Sequence, residues 1–524
     1  MEKFFNTAGP ISPDIHYFVD TKKRWNFEQV LSLISQRKYF ILHAPRQTGK
    51  TSGILALMHY LNEVGTYETI YANIESAQAA REDVNAAMRA ILSSIASRHY
   101  YYTQDTLLKE HWFEIYQQSG AHQALGELLS FWATKTKKPV VLLLDEVDAL
   151  IGDTLISLLR QLREGYDKRP TGFPISIILC GVRDVRDYRI HSSSTKQIIT
   201  GGSAFNIKAE SLRLENFSKE QIKDLHNQHT QATQQVFEEG ILDLAWYYTQ
   251  GQPWLVNALA YEVTFNMVEN RDRNKNITVA AYQEAKERLI LRRDTHLDQL
   301  VDKLQEERVK RIIQPILSGK DSSLEHRPDD VQYTRDLGLI EVTRNGQITI
   351  ANAIYKEVIP RELSWTLQTA LSTQPQWYLQ ADGALDMLKL LGAFQEFFRK
   401  NSEHWIQRFS YQEAGPQLLL QAFLQRIVNG GGRIEREYGM GRGRTDLFIE
   451  YFYPDGKQEI VVELKLLYSN LESTIEKGII QTKKYMDKCG APQGHLLIFD
   501  RRKNKNWTEK IWQEEIEGIY VWGL

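Results

Sequence analysis

The chain has 524 residues, too many for a single hydrophobic core, and this length predicts about three domains. A composition of 42% hydrophobic and 25% charged residues excludes a disordered chain. The formal net charge of −2 excludes a globally basic nucleic-acid-binding field, so any contact with nucleic acid must come from local patches.

Cysteine usage and apolar runs indicate the compartment. Cys180 and Cys489 are far apart, which gives neither a disulfide framework nor zinc-ligand spacing and suits a reducing environment. No apolar run approaches the ~20 residues of a membrane span, and the N-terminus lacks the basic-then-apolar form of a signal peptide. We expect a cytoplasmic protein without membrane contact.

The stretch "KYFILHAPRQTGKTSGILALMHYLN", residues 38–62, predicts an apolar strand, a turn and an amphipathic helix. Backbone N–H groups and a helix N-terminus placed this way converge on phosphates. The ammonium of Lys50 would reach the β- and γ-phosphates, and the hydroxyl of Thr51 would ligate Mg²⁺. Position 44 usually carries glycine, and a chance Gly-Lys-Thr at a helix start is the alternative. The predicted nucleotide-binding residues of the loop are Ala44, Gln47, Thr48, Gly49, Lys50 and Thr51.

The stretch "KKPVVLLLDEVDAL", residues 137–150, is an apolar run without alternation. Such a run is typical of a parallel strand that is buried on both faces. It ends in two carboxylates, Asp145 and Glu146. Asp145 would hold magnesium through water, and Glu146 would orient and deprotonate the attacking water.

Two later stretches add candidate nucleotide contacts. The apolar strand in residues 173–184 ends in Arg183, whose cation could stabilise the γ-phosphate charge. A surface salt bridge is the alternative for this arginine. In "YYTQGQPWLVNALA" a turn with Gly251 and Pro253 precedes a helix, and an ordinary helix start is the alternative there.

These motifs resemble an ATPase of the AAA-like and STAND-related group over about residues 1–290. The resemblance implies a P-loop NTPase with a parallel sheet and a helical lid, and ATP with Mg²⁺ as cofactors. It also implies that Arg183 senses the γ-phosphate and that the Pro253 turn closes over the nucleotide. An arginine from a neighbouring subunit would require a homo-oligomer, with Arg160 and Arg163 as candidate donors.

Residues 291–365 predict a winged helix, because a helix is followed by two alternating strands joined at Asn345-Gly346. Winged-helix domains are similar to DNA-binding domains, and Arg335 and Arg344 could contact phosphates. The helix also carries three acids, Asp329, Asp330 and Asp336. These acids favour the other interpretation, a relay packed on the ATPase lid as in STAND-type proteins. Residues 366–400 then predict a helical connector broken at Pro375.

Residues 401–524 predict a helix, two strands, a "YPDGKQ" turn and the returning strand "EIVVELKLL". Side chains alternate along a strand, so Glu463 and Lys465 share one face of an otherwise apolar segment. A charge on a covered apolar face needs a partner or a metal. Asp446 lies on the preceding strand, close enough to join them in one site.

Carboxylates on adjacent strands, here Asp446 and Glu463, bind Mg²⁺ or Mn²⁺, and Lys465 could activate water and stabilise phosphorane charge. This "TD…ELK" pattern resembles the PD-(D/E)XK nuclease superfamily. The resemblance implies catalytic roles for these three residues. It implies the same for Gln481, in a Q-x(3)-Y helix, and for Glu413, as the acid of the first helix. A solvated edge-strand face, and a solvent-facing Glu413, are the alternatives.

Basic residues that could contact a phosphodiester surround this pattern, although charge runs are usually solvated faces. They are Arg442, Arg444, Lys483, Lys484, Arg501, Arg502 and Lys503.

The whole chain, read as an α/β multidomain protein, resembles fusions of an AAA-like ATPase to a C-terminal nuclease domain with a mixed sheet. This resemblance implies an ATP-gated nuclease that acts on DNA in preference to RNA, in mobile-element or antiviral defence biology. The alternative is a nucleotide-switched STAND-like scaffold or nucleic-acid-binding protein without cleavage. An ATP-driven translocase is a third interpretation, but the sequence carries no helicase-type motifs.

Overall fold

The computed structural model describes most of the chain in two compact units. The described residues are 2–183, 189–191, 198–200, 205–292, 302–317, 327–343, 346–360, 378–408, 416, 418–421, 423–424, 432–437, 445–502 and 505–524. The first unit comprises Met1–Arg292 with Asp336–Gly338, and the second comprises Arg293–Arg335 with Leu339–Leu524.

The described strands of the first unit, numbered along the chain, are β1 (Phe4–Phe5), β2 (His16–Tyr17), β3 (Tyr39–His43), β4 (Glu68–Asn73), β5 (Val140–Asp145), β6 (Ser176–Gly181), β7 (Arg189–His191), β8 (Ile198–Thr200) and β9 (Lys208–Arg213). Five of them form the central sheet, in which all strands are parallel and follow the order β4-β5-β6-β3-β9. The three middle strands, β5, β6 and β3, are buried along their whole length, as their apolar runs predict.

Helices α1 (Phe27–Ser35), α2 (Lys50–Val64), α3 (Val84–Thr103), α4 (Leu107–Ser119), α5 (Ala124–Lys135) and α6 (Gly152–Glu164) cover both faces of this sheet. Four more described helices of this unit follow β9: α7 (Lys219–Thr233), α8 (Ile241–Thr249), α9 (Pro253–Tyr261) and α10 (Val279–Arg292). Successive residues of β5 serve opposite faces. Leu142 packs with Leu92 and Trp132 on one side, whereas Leu143 packs with Leu57 on the other.

The helices after β9 form a second layer of the first unit. Ser218 and Gln221 make a reciprocal capping box at the start of α7, which fixes where the chain turns from strand to helix. A short π-helix, Glu262–Asn266, follows α9. Five 3₁₀ helices complete the described part of this unit: Thr21–Lys23, Glu75–Ala80, Val147–Ala149, Gly165–Lys168 and Val268–Asn270.

The second unit begins with two helices and a hairpin, α11 (Glu307–Leu317), α12 (Pro328–Asp336), β10 (Ile340–Val342) and β11 (Ile348–Ile350). The hairpin is antiparallel, and Gly346 in its turn has a φ of +77°. Asn345 and Arg344 lie outside the described residues. One acid of α12 is paired with the preceding helix, because Asp330 contacts both Arg308 and Arg311 of α11 at 2.9 Å.

A six-stranded mixed sheet forms the rest of the second unit, in the order β12-β13-β14-β15-β17-β16. Its elements are α13 (Met387–Arg408), β12 (Gly432–Glu437), β13 (Thr445–Tyr453), β14 (Gly456–Leu467), α14 (Leu471–Cys489), β15 (Gln493–Asp500), α15 (Trp507–Lys510), β16 (Trp512–Ile516) and β17 (Ile519–Gly523). The pairs β14–β15 and β15–β17 are parallel, and the other pairs are antiparallel. The two predicted hairpin strands are therefore present as β13 and β14. Helix α13 continues past residue 400, where the sequence predicts a boundary.

Within the part of the chain that the structure describes, no helix combines the length and apolar content needed to cross a membrane.

Candidate nucleotide and carboxylate sites

The loop between β3 and α2 has the backbone shape that phosphate binding requires. Gln47 and Gly49 both have positive φ, at +57° and +87°, and such left-handed turns aim successive N–H groups into a concave nest. Non-glycine residues are uncommon in this region, and those that occupy it are enriched at functional sites. Ala44 is buried, donates its N–H to Gly181 O at 3.3 Å and does not have a positive φ. Alanine at this position therefore costs no backbone strain.

The predicted lysine lies inside the curve of this loop. Lys50 is 8% exposed, and its Nζ donates to Ala44 O at 2.9 Å and to Pro45 O at 3.0 Å. The hydroxyl of Thr48 also donates to Pro45 O, at 2.8 Å, which closes the loop on itself. A cation is thus held where the N–H groups of the loop converge.

Asp145, at the end of β5, is the centre of a hydrogen-bond network. It is fully buried, and its Oδ2 accepts hydrogen bonds from Thr51 Oγ1 at 2.8 Å and from Tyr71 Oη at 3.1 Å. Its Oδ1 accepts the backbone N–H of Glu146 at 3.0 Å. Tyr71 was not predicted from the sequence, because nothing in "ETIYAN" indicates that β4 pairs beside β5.

Glu146 has two features that suit proton transfer. Its φ of +59° places a non-glycine residue in the left-handed region, as strained active-site residues often are. Burial raises the pKa of its carboxyl, and the charges of Asp148 and Asp145 raise it further, against the lowering effect of Lys50 and Arg46. A raised pKa makes a carboxylate a better general base.

Asp148 connects this acidic turn to the end of β6. Its Oδ1 accepts the N–H of Val182 at 3.0 Å, and a Cβ on Gly181 would lie 2.4 Å from the same oxygen. The predicted sensor Arg183 is the next residue, partly buried. The second Asp of "DEVD", Asp148, was the only signal in the sequence for this contact, and it was not among the predicted site residues.

The predicted turn with Gly251 and Pro253 precedes α9. Gly251 has a φ of +73°, and a Cβ there would lie 2.0 Å from Phe217 O, so only glycine fits. Pro253 occupies the first turn of α9, and Gln252 caps the helix by accepting the N–H of Leu255 at 2.6 Å. Helix-start geometry accounts for these residues by itself, as the alternative interpretation expects.

In the second unit, strand register brings the predicted carboxylates together. Asp446 on β13 is the direct cross-strand partner of Glu463 on β14, so both residues belong to the same face. Glu463 is fully buried and its Oε1 contacts the Nζ of Lys465, whose side chain is 12% exposed. The buried charge on the apolar strand thus has a lysine partner from its own strand.

Helix α14 packs closely on β15 beside this pair. A Cβ on Gly478 would lie 2.6 Å from the Leu496 side chain, and one on Gly494 would lie 2.4 Å from Met486 Sδ. Leu496 is the register partner of Glu463, so the close approach sets α14 near the carboxylate face. Gln481 lies on this helix, and its Oε1 is buried without a hydrogen-bond partner among the residues that the structure describes.

Several predicted residues of the second site are either outside the described residues or paired with acids. Glu413, Arg442, Arg444 and Lys503 lie outside the described residues. Lys483 pairs with Glu517 at 2.6 Å, and Arg502 pairs with Asp500 at 2.6 Å. Burial raises the pKa of the Asp500 carboxyl, but hydrogen bonds from Arg502 lower it below its ordinary value overall. Arg335 lies 3.8 Å from Glu341 rather than standing as an isolated cation.

Both candidate sites place oxygen donors that suit a divalent cation. Within the described ranges, no group of three or more His, Cys, Asp or Glu side chains is placed to hold a metal. At the first site, the hydroxyl of Thr51 and the carboxylate of Asp145 are hard oxygen donors that suit Mg²⁺ shared with a phosphate. At the second site, the opposed positions of Asp446 and Glu463 also fit such a cation in chemistry.

The all-parallel sheet, the loop before α2 and the Thr51–Asp145 contact define a protein with a P-loop NTPase-like fold. A family model described as an AAA-like domain matches residues 8–359, more than half of the chain, and the chain belongs to that family.

The chain has some likeness to three solved structures. The Walker-type ATPase of Pyrococcus abyssi is 13% identical, with a TM-score of 0.46 over 68% of this chain and 99% of that chain. Cdc6p from Pyrobaculum aerophilum is 17% identical, with a TM-score of 0.37 over 67% and 97%. The RuvB Holliday junction branch migration motor of Thermotoga maritima is 14% identical, with a TM-score of 0.33 over 67% and 97%. No curated protein sequence matches the chain.

Proposed function

We propose that the first unit binds and hydrolyses ATP with Mg²⁺ and that its nucleotide state regulates a metal-dependent nuclease in the second unit. The observation that supports ATP binding and hydrolysis is the hydrogen bond between Thr51 and the buried Asp145, next to the Lys50 loop. ATP supplies the phosphoryl group to be transferred, and Mg²⁺ offsets the charge of its oxygens.

Each residue of the first site has a role in this proposal. Lys50 neutralises phosphate charge, and Thr51 and Asp145 hold Mg²⁺. Glu146 accepts the proton of the attacking water, for which its raised pKa suits it. Arg183 stabilises the negative charge that develops on the γ-phosphate, and the Pro253 turn belongs to a lid that closes over the nucleotide. Gln47, Thr48, Gly49 and Ala44 form the loop that cradles the phosphates.

For the second unit, the proposal is cleavage of phosphodiester bonds, in DNA in preference to RNA, with Mg²⁺ or Mn²⁺. The supporting observation is the register that opposes Asp446 to Glu463, with Lys465 in contact with Glu463. The two carboxylates hold the metal, and Lys465 stabilises charge on the phosphate. Gln481 orients the attacking water, and Glu413 remains a further proposed catalytic residue.

We also propose how the chain is divided into domains that connect the two activities. We assign residues 1–290 to the ATPase with its lid, 291–365 to a winged helix that relays the nucleotide state, 366–400 to a helical connector and 401–524 to the nuclease-like domain. Internal pairing of Asp330 with Arg308 and Arg311 favours the relay over DNA reading. The pathway we propose is mobile-element or antiviral defence, with homo-oligomers as the working form.

A second candidate function is a nucleotide-switched scaffold or nucleic-acid-binding protein that does not cleave. The observation in its favour is that charged side chains at and around the second site are already paired within the protein. Glu463 is buried against Lys465, and Lys483 and Arg502 are paired with acids.

The deciding experiment incubates the purified chain with linear and circular, single- and double-stranded DNA, and with RNA, plus Mg²⁺ or Mn²⁺, with and without ATP. Glu463→Gln tests the nuclease, and Glu459→Gln is its matched control, four residues along the same face of β14 and paired with Lys457. Lys50→Ala tests the gating, with the exposed Lys137→Ala as control.

Cleavage that is lost in Glu463→Gln, kept in Glu459→Gln and altered in Lys50→Ala supports the regulated nuclease and gives the sign of the regulation. Intact ATP hydrolysis with no cleavage of any substrate contradicts the nuclease and selects the scaffold. Absence of ATP binding by the unaltered chain contradicts both.

A further inference from the structure

Arg24, between the first 3₁₀ helix and α1, joins two segments that are far apart in the sequence. Its Nη1 donates to Thr48 O at 2.6 Å, and its Nη2 donates to Glu215 O at 2.8 Å. The guanidinium carbon lies 4.8 Å from the centre of the Phe217 ring. Arg24 therefore links the phosphate-binding loop to the segment that leads from β9 into α7.

That segment, residues 214–217, is fixed at both of its ends. Leu214 donates its N–H to His43 O at 2.9 Å, at the end of β3. Phe217 donates its N–H to Gly251 O at 2.8 Å, at the turn before α9. Because only glycine fits against Phe217 O, the contact between the segment and the turn is tight. Residues 214–217 therefore connect the end of β3 to the Gly251 turn.

The link has an unusual charge balance. Burial lowers the pKa of Arg24 to about 10, which leaves the guanidinium protonated at neutral pH. Among the residues that the structure describes, no carboxylate forms an ion pair with Arg24. Taking a cation partly out of water without an ion-pair partner is costly, and the hydrogen bonds to carbonyl oxygens offset that cost only in part.

The contact with the loop is close at a second point. A Cβ on Gly49 would lie 2.8 Å from Arg24 Nη1, so the guanidinium touches the loop beside the residue that caps α2. A planar guanidinium holds two acceptors at a fixed separation, which the single ammonium of lysine does not do. The position of Thr48 O therefore fixes the position of Glu215 O.

We propose that Arg24 is a positioning residue that couples the conformation of the phosphate-binding loop to the lid. This inference rests on the proposed binding of ATP at the loop. A ligand that rearranges the Thr48 peptide changes the anchor of Arg24 and thereby biases the segment 214–217 and the Gly251 turn. The bias exists only if the ligand distinguishes two states of the loop, as for any population shift.

The test measures amide hydrogen exchange at residues 214–217 and 249–255, with and without an ATP analogue that is not hydrolysed. The variants are Arg24→Lys, which keeps the charge and loses the fork, and Arg24→Met. The matched control is Arg89→Lys, an exposed position on α3. ATP affinity is measured in parallel with a fluorescent nucleotide.

We expect the analogue to slow exchange about 5- to 150-fold in the unaltered chain and in Arg89→Lys, but less than about twofold in Arg24→Lys. We expect ATP affinity in Arg24→Lys to change far less than this protection. A merely structural role would lower the melting temperature of both nucleotide states while leaving the analogue-dependent ratio unchanged.

The outcomes separate this inference from the proposed function. Full analogue-dependent protection in Arg24→Lys overturns the coupling while ATP binding stands. Failure of the unaltered chain to bind ATP overturns the proposed function and the coupling with it. Should the Arg24 variants not fold, Phe217→Leu removes the ring stacked on the guanidinium, and unchanged protection in that variant overturns the coupling.

Discussion

The two candidate sites each contain a fully buried carboxylate at a strand of a sheet, but they compensate its charge differently. Asp145 in the first unit accepts hydrogen bonds from the hydroxyls of Thr51 and Tyr71, which come from α2 and β4. Glu463 in the second unit contacts the ammonium of Lys465, two residues away on its own strand. Neutral hydroxyl donors orient a carboxylate and leave its negative charge in place. An ammonium neutralises it.

This difference has a consequence for metal binding. A divalent cation at Asp145 meets a preoriented anion and gains the full Coulomb attraction of a buried site. A divalent cation at Glu463 must compete with Lys465 for the same oxygen or share the site with it. We therefore expect the first site to bind Mg²⁺ more readily than the second, and the predictions below test that contrast.

The largest effect is expected at Glu146. Glu146→Gln keeps the shape of the side chain and removes the proton acceptor, so we expect ATP hydrolysis to fall about 10²- to 10⁴-fold with ATP binding retained. Steady-state phosphate release and nucleotide binding measure the two quantities. The exposed Glu164→Gln is the control, and an unchanged rate in Glu146→Gln contradicts the assignment of the base.

The next effect concerns the buried pair in the second unit. Lys465→Met leaves Glu463 buried without its cation, and we expect the free energy of unfolding near pH 7 to fall by about 3–5 kcal/mol. Urea denaturation measures it, and Mg²⁺ should restore more stability in this variant than in the unaltered chain. The double variant Lys465→Met with Glu463→Gln should recover much of the loss. A single variant as stable as the unaltered chain would show that Glu463 has another source of compensation.

A smaller effect is expected at Tyr71, which orients Asp145 without touching nucleotide in this proposal. Tyr71→Phe removes the hydroxyl at 3.1 Å, and we expect the Mg²⁺ affinity of the first site to fall about 10- to 100-fold. ATPase rates over a magnesium titration measure this, with activity recovering at high Mg²⁺. The exposed Tyr101→Phe on α3 serves as control, and loss that no Mg²⁺ concentration rescues would point to a packing defect instead.

The smallest effect is a shift in pH dependence. Because the pKa of Glu146 is raised, hydrolysis should be lost as pH falls through that raised value, above the ordinary range of a glutamate. Asp148→Asn removes one charge that raises this pKa and keeps an oxygen to accept the N–H of Val182. The acid limb of the rate profile should then move to lower pH. A limb that stays in place would mean that the charge of Asp148 does not contribute to the raised pKa of Glu146.

Local patterns in the sequence determined much of the first site. The spacing of Lys50 and Thr51 at a helix start and the placement of Asp145 at the end of an apolar run follow from short-range periodicity. In the second unit, a short turn fixes hairpin register, with Tyr453 opposite Gly456, so Asp446 could be placed near Glu463 from the sequence.

Only the tertiary structure decided which side chains support these residues. Tyr71 reaches Asp145 because β4 pairs with β5, and Arg24 reaches Thr48 and Glu215 because β9 lies beside β3. Strand order is a long-range property, set by crossover helices and by which faces must be buried, and no short window of sequence encodes it. The sequence by itself therefore determined the reactive groups, and the order of strands in the sheet decided their partners.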